Sequence, residues 1–369
     1  MVTPSFNPSE ASEVGIPVEN VILLDSVPNL RRVDAHGKLF RSSRQDRATE
    51  EDVQVLYKSL GIRSYLDFRS VHEYCTIDSG KTKAIDGTVP VFVPDIPDPK
   101  TTRHYPTDST SVKDVNGKPV SKVSSPRRYL INMFPRDAVL EVFNMAPWYK
   151  RIFTVLCVLI GILTGNHYLY FTRCLSVEII RHGLIGRYKG FLKYGSKEIC
   201  FSKSYKYCNK CYLFLAFPDH SKSIMWFGHF LRELVMDSTI TPTLTSYSCL
   251  TPVLKTICNP ENLPAILCCT HGKDRTGIVT ALVLSILGKS NEYIAEEYSL
   301  SEKGLEPIMP EVKEVALRYI PDESFLYSRK ETMLKLLAAT RETYGSVENY
   351  LESIGFGKDD QDKLRQALS

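Results

Sequence analysis

The sequence lacks the features that mark several classes of protein. Its net charge of +4 over 369 residues is too small a basic excess to indicate nucleic-acid binding, although it is compatible with anionic substrates. Ten cysteines in so long a chain do not indicate the disulfide framework of a small secreted protein, and they favour a reducing, cytoplasmic compartment. Residues 1–19 contain prolines and acids where a signal peptide has an apolar core, and they are predicted to be a disordered lead.

Long hydrophobic runs are also missing. The most apolar stretch, residues 152–163, has twelve residues without a charge and follows Lys150 and Arg151. A membrane-spanning helix needs about 20 apolar residues, so this stretch predicts a buried helix or a lid. Two alternatives stay open, which are peripheral contact of residues 148–185 with a bilayer surface and a true membrane span.

The sequence of residues 268–277, CCTHGKDRTG, is typical of a phosphate-binding loop. The apolar run at residues 264–267 predicts a buried strand before it, and residues 276–287 predict a buried helix after it. The unpaired amides and the dipole of a helix N-terminus stabilise both a phosphate dianion and a thiolate. Cys269 is therefore placed for attack on phosphorus, and Arg275 can bind two phosphoryl oxygens. The alternative is a free core cysteine followed by a solvated basic loop.

This loop resembles that of the cysteine-dependent tyrosine and dual-specificity phosphatases. The match is to the subgroup whose loop reads HCxxGKDRTG, which includes bacterial enzymes acting on phosphoproteins and phosphoinositides. Further motifs are similar to the same family and extend the resemblance to residues 28–96 and 251–369. They are NLR at 29–31, LFRSS at 39–43, DFRS at 67–70 with Glu73, and YGS at 344–346 with Tyr350 and Leu351.

The resemblance implies phosphomonoester hydrolysis through a cysteinyl-phosphate intermediate, without a metal or an organic cofactor. It implies that Cys269 is the nucleophile and that Arg275 is the phosphate clamp. Thr276 would offer its hydroxyl to the cysteine sulfur when the intermediate is hydrolysed. The remaining loop residues would bind substrate, and they are Thr270, His271, Gly272 and Lys273.

Phosphotyrosine in proteins is the expected substrate, with phosphoserine or phosphothreonine accepted if the pocket is shallow. A phosphoinositide is the alternative, supported by the apolar lid candidate and by the positive charge that Lys273 would add at the pocket mouth. Lys273 as an ordinary solvated loop lysine is the competing interpretation. A catalytically weak module that captures phosphorylated partners is a third hypothesis, which the intact Cys269 and Arg275 oppose.

Two aspartates are candidates for the general acid that protonates the leaving group. Asp274 lies inside the loop, and its alternative role is to orient the loop. Asp95 follows a strand-like run and is similar to the aspartate of a Pro-Asp pair in bacterial family members. Its alternative role is that of a turn residue beside prolines. The sequence leaves this choice open.

Cys268 departs from the family pattern, which has histidine at this position. The resemblance implies that the histidine helps to orient the loop and to ionise the nucleophile, so its loss is expected to weaken activity without abolishing it. A disulfide between Cys268 and Cys269 is a further hypothesis, which is disfavoured because adjacent cysteines close a strained ring.

The predicted fold is one α/β phosphatase domain over residues 20–369. It has a central, mostly parallel sheet flanked by helices, with the loop at the carboxyl edge of a middle strand. Three segments interrupt the domain, which are a loop at 97–126, a helical lid candidate at 127–199 and an atypical segment at 200–250. We hypothesise that the last is an insertion or intron sequence retained in a gene model.

Overall fold

The computed structural model describes residues 20–24, 26–69, 73–74, 91–94, 112–114, 126–133, 143–144, 146–163, 167–195 and 250–369. The predictions for the lead at 1–19, for Asp95 and for residues 200–249 concern parts of the chain outside these ranges. Most of the loop predicted at 97–126 also lies outside them.

The described residues form one sheet of seven strands. These are β1 (Arg31–Arg32), β2 (Leu39–Ser42), β3 (Ser64–Asp67), β4 (Val91–Pro94), β5 (Val112–Asp114), β6 (Arg127–Leu130) and β7 (Ala265–Cys268). Their order across the sheet is β1-β2-β7-β3-β6-β4-β5. The five inner strands run parallel, and β1 and β5 are antiparallel at the edges. The prediction of an α/β fold with a mostly parallel sheet is therefore confirmed.

Helices cover the sheet. They are α1 (Glu50–Gln54), which continues as a π-helical turn over Val55–Ser59, α2 (Trp148–Leu163), α3 (His167–Cys174), α4 (Ser176–Gly195), α5 (Leu250–Cys258), α6 (Asp274–Ile286), α7 (Asn291–Leu305), α8 (Met309–Tyr319), α9 (Lys330–Tyr344), α10 (Val347–Ser353) and α11 (Lys358–Leu368). A capping box starts α1, because the hydroxyl of Thr49 accepts from the backbone of Asp52 and the Asp52 carboxylate accepts in return.

The core divides along β7, whose successive side chains point to opposite faces of the sheet. Leu267 belongs to the larger hydrophobic cluster, together with α5, α6 and α9. Ile266 and Cys268 belong to a smaller cluster on the other face, which the chain around Leu56 covers. Both faces of β7 are buried, and this explains its continuous apolar sequence.

Two strands lie where the sequence predicted other structure. β5 falls within the predicted loop at 97–126, and β6 begins the segment predicted as a helical lid at 127–199. β6 has the sequence RRYL. Two consecutive arginines are unusual in a central strand, so the sequence did not indicate one here. Arg128 is nevertheless buried, since its guanidinium pairs with Asp67 at 2.7 Å. Within 127–199, the helical part described is α2 to α4.

The helix α2 is buried on one side only. Thr154 and Val158 are buried, whereas large apolar side chains on the other side are more than half exposed. The prediction of a buried helix is wrong for this second face, because the small cluster around Phe143 and Leu175 packs against α2 from one direction. Among the described residues, no helix is long and apolar enough to cross a membrane.

Candidate active site

The predicted loop connects β7 to α6 at the carboxyl edge of the sheet. It lies so close to the end of β2 that a Cβ atom added to Gly272 would be 2.1 Å from the carbonyl oxygen of Ser42. The φ of Gly272 is +64°, in the region that favours glycine. Glycine is therefore required at this position for two independent reasons, and the tight turn fixes the path of the loop.

The carbonyl groups of the loop are bound from behind. Asn29 Nδ2 donates to the carbonyls of His271 at 3.1 Å and Gly272 at 3.2 Å, and Arg41 Nη2 donates to the carbonyl of Gly272 at 2.6 Å. In a trans peptide the carbonyl and the N–H of the next residue point in opposite directions. The amides of Gly272 and Lys273 therefore point away from Asn29 and Arg41, as an anion-binding loop requires.

A buried ion cluster holds Arg41 in place. Glu297, from α7, accepts from Arg31 Nε at 2.7 Å and from Arg41 Nη1 at 2.6 Å. Burial, followed by repulsion from Arg41, lowers the pKa of Arg31 to about 10. Burial by itself would raise the pKa of Glu297, but the charges of Arg31 and Arg41 lower it below its ordinary value. The carboxylate is thus kept ionised between two guanidinium groups that support the loop.

Cys269 and Arg275 lie at the start and the end of the loop, near enough for the charge of Cys269 to act on Arg275. Cys269 is 3% exposed, and Arg275 donates to the carbonyl of Phe68 at 2.8 Å. Glu73 accepts from Arg275 through both oxygens at 2.9 Å, which is a bidentate pair. Burial by itself would lower the pKa of Arg275, but Glu73 and then Cys269 raise it above its ordinary value. The guanidinium is thereby held charged and in a defined orientation by Glu73 and the Phe68 carbonyl.

The two threonines and the histidine of the loop lie close to Cys269 and Arg275 along the chain. Thr270 Oγ1 accepts from Arg275 Nη2 at 3.4 Å. Thr276 Oγ1 is buried and has no hydrogen-bond partner among the described residues, so its hydroxyl is available to a nearby group. Desolvation, followed by the charge of Lys273, lowers the pKa of His271 to about 4. His271 is therefore neutral at physiological pH and does not supply a cation to the loop.

Lys273 does not lie at the mouth of the pocket. Its side chain is buried, and Nζ donates to the carbonyls of Phe325 at 2.6 Å and Tyr327 at 3.3 Å. Nζ also pairs with Asp274 Oδ1 at 3.5 Å. Both sequence-based interpretations of Lys273 are thus corrected, since the lysine is neither at the mouth nor solvated. It fastens the loop to the 3₁₀ turn Glu323–Leu326 and to Tyr327, the residue that follows this turn.

Asp274 is the first residue of α6 and its carboxylate is engaged. The Tyr188 hydroxyl, from α4, donates to Asp274 Oδ1, and Tyr188 is also 2.7 Å from the hydroxyl of Tyr298. Burial, followed by the charge of Asp274, raises the pKa of Tyr188 well above its ordinary value. Tyr188 therefore stays protonated and links the helical segment after α3 to the loop. The other candidate acid, Asp95, lies outside the described residues.

Cys268 faces away from Cys269, on the opposite side of the sheet. Its Sγ lies 3.8 Å from Gln45 Oε1 and 3.9 Å from Arg128 Nη1. Burial, followed by the charge of Asp67, raises the pKa of the Cys268 thiol far above its ordinary value. The thiol is thus a protonated, inert group, and the opposite directions of the two side chains argue against a disulfide between Cys268 and Cys269.

Sequence reasoning missed the residues that support the loop from a distance. Glu297 and Tyr188 lie in ordinary helical sequence, and no local pattern distinguishes them from solvated helix residues. Arg31 and Arg41 were present in the motifs at 29–31 and 39–43, although their common partner was not evident. A buried partner becomes expected only when two arginines are known to be inaccessible to water.

A buried cysteine at the end of a central parallel strand, a glycine-dependent turn and an arginine at the following helix form the arrangement expected of the cysteine-dependent phosphatases. A family model described as the tyrosine phosphatase family matches residues 28–158 and 231–369, which are most of the chain. The chain therefore belongs to that family.

The chain is also similar to the triple specificity protein phosphatase PtpB of Mycobacterium tuberculosis, with 29% identity over 120 residues. The match covers 28% of this chain and 44% of the relative, so it spans less than half of that protein.

Proposed function

We propose that the protein hydrolyses phosphomonoesters, with phosphotyrosine in proteins as its substrate. The observation that carries the proposal is the position of Arg275, which is held by Glu73 and Phe68 within electrostatic reach of the buried Cys269. A core cysteine without a catalytic role has no need of a guanidinium beside it, and the burial of a charge is costly.

The geometry supports a two-step reaction. Arg275 and the loop amides bind the phosphoryl oxygens, and the sulfur of Cys269 attacks phosphorus in line while the bond to the leaving oxygen breaks. An aspartic acid gives its proton to the leaving oxygen. Water then attacks the phosphorus, the aspartate takes a proton from it, and the sulfur leaves. The free hydroxyl of Thr276 supports its role as the group that stabilises the departing sulfur.

The general acid remains a prediction with two candidates. The Tyr188 hydroxyl and the Lys273 ammonium group both bind the Asp274 carboxylate. These contacts favour the role of loop orientation for Asp274, because both neighbours stabilise its charged, proton-accepting form. Asp95 is then the preferred donor.

The geometry bears differently on the two substrate classes. The sequence-based argument for a phosphoinositide used the positive charge of Lys273 at the pocket mouth and the apolar lid candidate. The charge is committed to backbone carbonyls, whereas the apolar face of α2 is exposed. The argument for a phosphorylated protein did not depend on Lys273. A phosphoprotein is therefore the substrate class that we propose, and a phosphoinositide becomes an outcome of the test.

The experiment compares the wild type with Cys269→Ser on a panel of phosphate esters. The panel contains a phosphotyrosine peptide, a phosphoserine peptide and short-chain phosphoinositides. We expect the wild type to hydrolyse the phosphotyrosine peptide, and the variant to lose roughly 10⁴-fold or more of kcat, as when a covalent nucleophile is removed. Retention of phosphoprotein by the inactive variant would support an enzyme, whereas binding without turnover by the wild type would indicate a capture module.

We also propose that α2 contacts a membrane surface. Trp148 is 73% exposed and Phe153 is 59% exposed, and an exposed aromatic and aliphatic helix face is typical of an interfacial helix. We expect Phe153→Ser to lower co-sedimentation with anionic phospholipid vesicles several-fold. Leu23→Ser, at an equally exposed leucine outside α2, is the matched control. An equal loss in both variants would contradict a specific role for α2.

A further inference from the structure

Two arginines beside the loop share one carboxylate. Arg44 Nη2 lies 3.0 Å from Glu311 Oε1, and Arg47 Nη1 and Nη2 lie 2.6 and 3.1 Å from the two oxygens of the same side chain. Glu311 comes from the first turn of α8, far from Arg44 and Arg47 in sequence. Arg47 thus binds both oxygens of the carboxylate as a fork and Arg44 adds one further contact, and bidentate binding of this kind is how arginines recognise an anion.

This pair of arginines adjoins the catalytic loop. The backbone N–H of Arg44 donates to the carbonyl of Thr270 at 3.3 Å, and Thr270 is the residue next to Cys269. The charge of Arg44 contributes to the lowered pKa of His271, and His271 in turn contributes to the lowered pKa of Glu311. Arg44 therefore lies on the Thr270 and His271 side of the loop, and the hydroxyl of Thr270 accepts from Arg275 Nη2 at 3.4 Å.

The local charge is unbalanced. Glu311 supplies one negative charge against the two positive charges of Arg44 and Arg47. Asp46, the nearest other carboxylate in sequence, is buried and bound by both terminal nitrogens of Arg69. Burial lowers the pKa of Arg44 below its ordinary value, the charge of Asp46 opposes this change, and the repulsion from Arg47 adds to the lowering. A second anion would therefore be attracted to this position.

The contact with Glu311 is also one that a ligand can replace. Arg47 is 44% exposed and Glu311 is 38% exposed, and solvent-exposed ion pairs contribute little to stability. Arg44 is mostly buried and fixed by its backbone contact with the loop. The site thus combines a mostly buried guanidinium with a partly exposed one, and the carboxylate that it binds belongs to a partly exposed side chain.

We propose that Arg44 and Arg47 form a second anion subsite, which binds the carboxylate of an acidic residue flanking the phosphotyrosine of a substrate protein and releases Glu311 as it does so. This proposal rests on the proposed phosphatase function and adds to it a preference for substrate sequence. In the absence of substrate, the carboxylate of Glu311 occupies this subsite. The acidic residue of the substrate would replace it with a carboxylate of the same charge.

The test measures a preference rather than an activity. Phosphotyrosine peptides with glutamate at one of two positions on either side are compared with the matched glutamine peptides. The ratio of kcat/KM for the acidic to the neutral peptide is determined for the wild type, Arg47→Gln, Glu311→Gln and Arg318→Gln. The last variant is the control, because Arg318 lies on the same helix as Glu311 and its side chain forms an exposed pair with Glu314.

We expect the ratio to fall by about 3-fold to 10-fold in Arg47→Gln, which is the effect of one partly exposed charge contact. It should rise in Glu311→Gln, because the competing carboxylate is gone, and stay at the wild-type value in Arg318→Gln. A purely structural ion pair would lower the ratio, or leave it unchanged, in both site variants. The opposite signs for Arg47 and Glu311 are therefore diagnostic, and equal signs would overturn the proposal.

Binding of the same peptides in a Cys269→Ser background separates this proposal from the proposed function. A preference for acidic peptides without turnover by the wild type would support the subsite and reject the phosphatase. Turnover with equal ratios for all variants would reject the subsite alone, and no binding of any peptide would reject both. A preference that depends on Arg47 for a soluble inositol bisphosphate, and not for acidic peptides, would overturn the choice of a protein substrate.

Discussion

Gly272→Ala is expected to lower kcat/KM for a phosphate ester by about 100-fold or more and to destabilise the fold. The new Cβ would lie 2.1 Å from the carbonyl oxygen of Ser42, so the loop must move by roughly 1 Å, and such a misplacement costs a rate of this order. The positive φ adds roughly 1–2 kcal/mol of strain, and forced contact adds about 1–3 kcal/mol. Thermal unfolding and steady-state kinetics of the purified variant measure the two effects.

Gly288→Ala is the matched control for Gly272→Ala. Gly288 has a φ of +75°, but nothing lies within 4 Å of its added Cβ. It should show the cost of the backbone conformation alone, roughly 1–2 kcal/mol, with kinetics close to those of the wild type. Equal losses of stability and activity in both variants would show that the close approach to Ser42 has no role of its own.

Glu297→Gln is expected to lower the free energy of unfolding by about 3–5 kcal/mol, because it leaves two buried guanidinium groups without a counter-charge. Arg31 and Arg41 are both almost inaccessible to water, and both contact this carboxylate. Activity should fall as well, since Arg41 also binds the Gly272 carbonyl. Urea denaturation at neutral pH measures the loss of stability.

The control for Glu297→Gln is Glu314→Gln, which removes a carboxylate from an exposed pair with Arg318. Its effect on stability should be within about 0.5 kcal/mol. If Glu297→Gln proved equally mild, the buried cluster would not support the loop, and another explanation would be needed for the position of Arg41. A loss of activity without a loss of stability would indicate that the cluster only orients the loop.

Predictions from local sequence succeeded where a short stretch determines its own structure. The buried strand before Cys269 and the helix after it follow from an apolar run, and the structure has them at Ala265–Cys268 and Asp274–Ile286. The sequence motif predicts a glycine in the loop, although the close approach to Ser42 that makes it necessary joins residues far apart in sequence.

Predictions failed where a side chain has partners from distant elements. Lys273 was expected to face a substrate, but two carbonyls near Phe325 bind its ammonium group. β6 was not recognised as a strand, because the burial of Arg128 depends on Asp67 and Gln45. The hydrophobic pattern of the sequence around Lys273 or around Arg128 does not show which distant residues these side chains contact.

Local patterns of hydrophobicity and the spacing of a turn were sufficient to predict the α/β class, the strand–loop–helix unit and the presence of Cys269 and Arg275 in one loop. Only the tertiary structure decided which groups bind the loop from behind, where Lys273 points, and that Arg44 and Arg47 meet at Glu311. The physical reason is that charges and hydrogen bonds are matched across the folded chain, and their partners are brought together by packing rather than by proximity in sequence.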